Sequence, residues 1–131
     1  AGASVDVEPL PVVVGDAGQL REVMQNLLAN ALKYRDEDRP SRITVTGEAQ
    51  GPTARVVVAD NGIGVEPEHR DTIFEVFRRL HPGHAYGGTG LGLALVKRIV
   101  ERHGGSVRIT DSPLGDGIAV DLTLPRHQEQ P

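Results

Sequence analysis

Cysteine is absent from the 131 residues, and so is tryptophan. The first absence excludes disulfides and thiolate metal sites and fits a reducing compartment. The second, with only two Phe and two Tyr, leaves the core to Val, Leu, Ile and Ala. No apolar run of about 18 residues occurs, so direct membrane insertion is not expected. Basic residues are outnumbered, 14 Lys and Arg against 18 Asp and Glu, and the net charge of −4 argues against a nucleic-acid surface. Any anionic ligand must therefore be held locally. The Ala1-Gly2-Ala3 start has neither the basic nor the apolar region of a secretory signal and reads as a boundary within a longer polypeptide. A cytoplasmic location is expected, with or without a membrane anchor elsewhere in the parent protein.

The length suits one globular domain burying roughly two-thirds of its unfolded surface. We place it at residues 1–125, with a disordered tail at 126–131. Val5, Val7 and Val12 to Val14 suggest short extended segments broken by Pro9 and Pro11. Asp16 then reads as an N-cap with Gln19 completing a variant capping box. Leu20, Val23, Met24, Leu27, Leu28, Ala31 and Leu32 recur at helical spacing behind it. The charged stretch from Arg35 to Arg42 reads as a solvated turn.

Ile43 and Val45 alternate with threonines in one strand, and Val56-Val57-Val58 form a more buried one, the pair joined as a hairpin through Gln50-Gly51-Pro52. Pro67 and Glu68 suit the first turn of a short helix leading to Phe74 and Phe77. Leu91, Leu95, Val96, Ile99 and Val100 predict a further helix stopped by Gly104-Gly105. Two last strands, Val107 to Ile109 and Ile118 to Leu124, follow. No internal repeat is present. This order implies an α/β fold: a two-layer sandwich in which a mixed, mainly antiparallel sheet packs on about three helices.

Three elements carry candidate chemistry. At about 100° per residue, Asn26, Asn30 and Lys33 fall in one stripe of the first helix, away from its apolar face. Two amides and an ammonium suit a phosphate-bound Mg²⁺, which takes oxygen ligands and few from protein. Taken alone, a solvated helix face explains the row as well or better. Asp60 ends the apolar run Val56-Val57-Val58-Ala59, where a fixed acceptor would meet the exocyclic amino group of adenine, a group guanine lacks at that position. Asp60-Asn61-Gly62 is equally a plain turn. Gly88-Thr89-Gly90-Leu91-Gly92-Leu93 sets three glycines at alternate positions before a helix, so bare N–H groups would face a phosphate. It fits neither the Walker pattern nor the dinucleotide fingerprint, and glycines for close helix packing are the alternative. The connection from Arg78 and Arg79 to Gly87 is either a lid that brings those arginines to a triphosphate or a surface loop. None of the five histidines has metal-ligand spacing, and His103 beside Gly104 reads as a favourable charge at a helix C-terminus.

With these residues in view, nearly the whole chain resembles the ATP-binding catalytic domain of two-component sensor histidine kinases, within the superfamily of gyrase, chaperone and mismatch-repair ATPases. Gln25 to Tyr34 is similar to the N box, Asp60-Asn61-Gly62-Ile63-Gly64 to the G1 box, Ile73 to Phe77 to the F box and Gly88 to Leu93 to the G2 box. The resemblance implies the Bergerat sandwich and the cofactors ATP and Mg²⁺. It would assign Asn30 to the metal, Asn26 and Lys33 to the phosphates, Tyr34 to the side of the nucleotide and Asp60 to the adenine amino group. Gly62, Ile63 and Gly64 would shape the base pocket. The backbone of Gly88, Thr89, Gly90, Leu91 and Gly92 would hold phosphates beneath a lid carrying Arg78 and Arg79.

Hydrolytic relatives carry a glutamate general base where this chain has Asn26, and a carboxamide cannot deprotonate water. Slow hydrolysis and kinase chemistry are implied, with the γ-phosphoryl passing to a histidine on a separate dimerisation domain and then to a response regulator receiver domain. The alternatives are an anti-sigma-type serine kinase and a noncatalytic nucleotide-responsive module. In one departure from the pattern, Gly115-Asp116-Gly117 is followed by Ile118 where the family has Thr, so a hydroxyl expected near adenine is missing. In the other, no phosphoacceptor His-Glu or His-Asp motif appears.

Overall fold

The computed structural model describes residues 3–70, 74 and 92–126. In chain order these residues form strand β1 (Ala3–Val7), helix α1 (Ala17–Lys33), strands β2 (Ser41–Gln50) and β3 (Thr53–Asp60), a 3-10 turn (Pro67–His69), helix α2 (Gly92–Arg102), and strands β4 (Ser106–Asp111) and β5 (Ile118–Pro125). The five strands make one sheet in the order β1-β2-β3-β5-β4. Only the β1–β2 pair is parallel; β2–β3, β3–β5 and β5–β4 are antiparallel. The sheet is thus mixed and mainly antiparallel, as expected. Two α-helices lie among the described residues, and the helix expected from Pro67 begins there as a single 3-10 turn with proline in its first position.

Period-2 alternation decides which face is covered. Ile43, Val45, Val56, Val58, Val120, Leu122 and Ile109 point to one side and pack with Val23, Leu27 and Ala31 of α1 and Val96, Ile99 and Val100 of α2. The core is aliphatic, with Phe74 as its buried ring. Leu32 is exposed rather than buried. It lies about 100° beyond Ala31 around the helix, past the stripe that meets the sheet.

The helix ends hold each other. Asp16 caps α1 by accepting the Gln19 N–H at 2.8 Å, the expected half of a capping box. The other half differs from the expectation: the Asp16 N–H goes to His103 Nε2 at 3.0 Å, while His103 Nδ1 lies 2.8 Å from the Ile99 carbonyl. A neutral ring with its proton on Nδ1 satisfies both bonds. His103 is therefore a connector between the start of α1 and the end of α2, not the helix-end cation expected from its position. Behind it α2 closes with a Schellman motif, in which Gly104 (φ 80°) donates to Glu101 and Gly105 to Val100.

On the uncovered face of the sheet, Asp121 is 4% exposed. Arg55 on β3 reaches it through Nε and Nη2, at 2.9 to 3.1 Å, and Arg108 on β4 adds two bonds at 3.2 Å. The carboxylate holds the Arg55 guanidinium above its already high pKa, chiefly through their hydrogen bonds. Removing Arg55 leaves a buried carboxylate with one partner, itself largely exposed. Arg55→Ala is expected to cost about 2 kcal/mol, seen in urea as a lower midpoint at unchanged slope; an unshifted midpoint would show that the ladder is only decoration.

Arg126, placed in the tail from sequence, continues the β3–β5 pairing by one residue: its N–H donates to the Pro52 carbonyl at 2.9 Å and it bridges Val13. Residues 127–131 lie outside the described set. No helix among the described residues is long and apolar enough to cross a membrane.

Candidate functional site

The sheet order places the end of β3 beside the start of β5, so Asp60 meets residues nearly sixty positions away. Its carboxylate Oδ1 accepts the Gly62 N–H at 2.9 Å and the Ile118 N–H at 3.3 Å. Both bonds go to the same oxygen, and Oδ2 makes no hydrogen bond among the described residues. Burial raises the Asp60 pKa above its ordinary value, and the two backbone N–H groups pull it part of the way back. A carboxylate kept partly dry and held by fixed donors is a directional acceptor.

The walls around it require glycine. A Cβ on Gly62 would lie 2.5 Å from the Tyr34 carbonyl oxygen and one on Gly117 would collide with both the carbonyl and Oδ1 of Asp60. Gly64 has φ 79°, and a Cβ there would strike the Asp116 carbonyl. Ser112, 8% exposed, donates its hydroxyl to the Asp60 carbonyl at 2.5 Å and accepts the Leu114 N–H at 3.1 Å. Ser112 carries no local signal in the sequence, since it acts through a backbone contact made across the sheet; Gly117 belongs to the Gly115-Asp116-Gly117 sequence pattern, but its contact with Asp60 is likewise made only by folding.

Ile118 does in part what its position requires. Its side chain is buried in the core cluster, and its N–H is one of the two donors on Asp60. The departure from the family pattern thus removes a hydroxyl and retains the backbone contact. Ile63 stands at the rim, 45% exposed, and its N–H donates to the Tyr34 carbonyl at 3.0 Å, tying the G1 turn to the end of α1.

The polar row of α1 leaves from that same end. Asn26 donates Nδ2 to the Glu22 carbonyl at 2.8 Å, which turns its Oδ1 away from the helix backbone. Among the described residues the Asn30 side chain makes no hydrogen bond, and it is half-buried. The Lys33 ammonium lies 5.4 Å from the centre of the Tyr34 ring, a cation–π distance. Two amide oxygens are a donor set of the kind Mg²⁺ accepts alongside phosphate and water. Asn26, Asn30 and Lys33 run along the C-terminal half of α1 to Tyr34 at its end, and Asp60, Gly62, Ile63 and Gly64 form the turn bonded to that end through the Tyr34 carbonyl. Gly92 begins α2. Arg78, Arg79, Gly88, Thr89, Gly90 and Leu91 lie outside the described residues.

A half-buried carboxylate at the end of a central strand, a glycine rim and an amide-bearing helix beside it, all on a two-layer sandwich, define a nucleotide-binding domain of the Bergerat type. Residues 15–128 match the family described as histidine kinase-, DNA gyrase B-, and HSP90-like ATPase, and the chain belongs to that family. It is 42% identical over 124 residues to cyanobacterial phytochrome A of Nostoc sp., covering 95% of this chain and 16% of that protein. The mycobacterial sensor histidine kinase MprB superposes with a TM-score of 0.75 at 31% identity, over 97% of this chain and 83% of that one. ShkA, solved full-length in complex with AMPPNP, gives 0.74 at 33% identity, over 99% of this chain and 26% of that one. The chain thus spans about a sixth of the phytochrome relative.

Proposed function

We propose that residues 1–125 act as the catalytic domain of a sensor histidine kinase, binding Mg-ATP and transferring the γ-phosphoryl to a histidine on a separate helical dimerisation domain of the same parent. A response regulator receiver domain would take the phosphoryl group next. The observation that carries the reading is Asp60: a half-dry carboxylate with one oxygen held by two N–H groups and the other without a hydrogen bond among the described residues, which suits an acceptor for an adenine amino group. In this reading Asn30 supplies an oxygen to the metal, Asn26 and Lys33 face the phosphates, and Tyr34 lies beside the nucleotide. Gly88 to Gly92 bind phosphate backbone-first, and Arg78 and Arg79 come down with a lid. Magnesium would neutralise phosphate charge; the side chains orient the chain of phosphates, which is most of what phosphoryl transfer needs from a protein.

Asn26 supports transfer over hydrolysis, because it is a carboxamide, unable to deprotonate water, at the position where the hydrolytic relatives carry a glutamate. The net charge of −4 supports a nucleotide rather than a nucleic acid as the anionic partner. A cytoplasmic site of action follows from the need for ATP. The test is to mix the domain with its parent's histidine-bearing helical domain and labelled ATP. Acid-labile phosphate on that partner is expected. Acid-stable phosphate would point instead to serine, and tight ATP binding with no transfer to a noncatalytic module.

A further inference from the structure

We infer that Arg39 is a positioning residue for base recognition, setting the Asp60 carboxylate through the turn that holds it. This rests on the reading of Asp60 as the acceptor for the adenine amino group. By composition Arg39 belongs to a solvated charged turn, but its side chain lies against the backbone of the turn that follows Asp60. Nε donates to the Asn61 carbonyl at 3.0 Å and Nη2 to the Gly62 carbonyl at 3.2 Å. Asp36 at 3.4 Å, in its own turn, and Asp116 at 3.7 Å, in the β4–β5 turn, flank the guanidinium. Arg39 thereby joins the three loops that surround the carboxylate.

The contacts are reciprocal. Asn61 donates Nδ2 to the Pro40 carbonyl at 3.0 Å and accepts the Arg42 N–H at 2.8 Å, gripping the segment on either side of Ser41, just after Arg39. The Gly62 residue is the link that matters: its carbonyl is held by Arg39, and its N–H holds Asp60 Oδ1. With the Tyr34 carbonyl packed against Gly62, a shift of the turn on losing Arg39 would rotate the N–H that aims the carboxylate. The ion pair to Asp116 adds little, since that partner is 85% exposed. The planar fork of arginine holds its Nε and Nη2 donors at a fixed spacing that matches two successive carbonyls; the three donors of a lysine ammonium radiate from one nitrogen and lack that spacing.

The experiment titrates ATP and GTP, each with magnesium, into the 131-residue chain and its Arg39→Ala and Arg39→Lys variants, with thermal melts alongside. Arg39→Ala is expected to weaken ATP about tenfold, the scale of losing hydrogen bonds from a charged donor, and GTP far less, so that the ATP-to-GTP preference narrows. Arg39→Lys should behave like Arg39→Ala. A preference that survives in Arg39→Ala, or that lysine restores in full, overturns the positioning role and leaves Asp60's role standing. Equal binding of both nucleotides by the unsubstituted chain overturns the reading of Asp60 itself, and this inference with it.

Discussion

Asp60→Asn is expected to lower ATP affinity about a hundredfold and to erase the preference for ATP over GTP. The asparagine oxygen can still accept from Gly62 and Ile118, so the turn survives. What changes is the atom facing the base: an amide donor now meets the donor amino group of adenine, whereas the carbonyl of guanine would accept from it. An unpaired buried donor costs about 1–3 kcal/mol, and loss of the ionic character of the bond adds to it. Titration calorimetry with both nucleotides reads the effect directly, and an unchanged ratio would refute the assignment.

The same residue predicts a pH dependence. Burial raises the Asp60 pKa in the folded chain above its ordinary 3.8, so the charged form is disfavoured there. A group whose folded pKa is raised contributes stability that is fully present below the unfolded value and is lost as pH rises through the folded one. At neutral pH, therefore, the ionised Asp60 costs stability, and Asp60→Asn should melt no lower than the unsubstituted chain. ATP affinity runs the other way. It falls on acidification as the carboxylate gains a proton, beginning at a higher pH than an exposed aspartate would show, and Asp60→Asn should lack that acid limb. A melt well below that of the unsubstituted chain would mean the carboxylate serves the fold rather than the ligand.

Asn30→Ala should abolish phosphoryl transfer, by about a hundredfold or more, and with it the part of ATP affinity that depends on magnesium. In the unsubstituted chain, chelating the metal should weaken ATP binding; in the variant, chelation should change little. The fold has no stake in this side chain, which is half-buried and makes no hydrogen bond among the described residues. Alanine in fact favours the helix by about 0.5 kcal/mol over asparagine. A variant that transfers normally would remove Asn30 from the metal, and one that unfolds would show that its role was structural.

Much of the architecture was legible because it rests on local patterns. The stripe Val23, Leu27, Ala31 marks a helix that must bury one side, and the valines of β3 mark a strand covered by it. Gly104-Gly105 stops α2 with the pair of bonds such glycines favour. Asn26, Asn30 and Asp60 were legible as candidates for the same reason, since helical phase and position at a strand end follow from spacing alone. Their partners were not legible. His103 accepting from Asp16, Ser112 donating to Asp60 and Arg39 clamping Asn61 and Gly62 join residues separated by 87, 52 and at least 22 positions, and no local period encodes such pairings.

The sequence by itself determined the elements and the residue types at each end of them, because backbone propensity and hydrophobic period act over a few neighbours. Tertiary structure alone decided what those residues became. Placing β5 next to β3 set the Ile118 N–H on Asp60 and made Gly117 obligatory beside it. Folding the turn at 35–40 against the one at 61–64 set an apparently solvated arginine onto the carbonyls of Asn61 and Gly62, in the turn that holds Asp60. Burial, which exists only once the sheet and helices close, turned an aspartate in a common turn motif into an acceptor with a raised pKa.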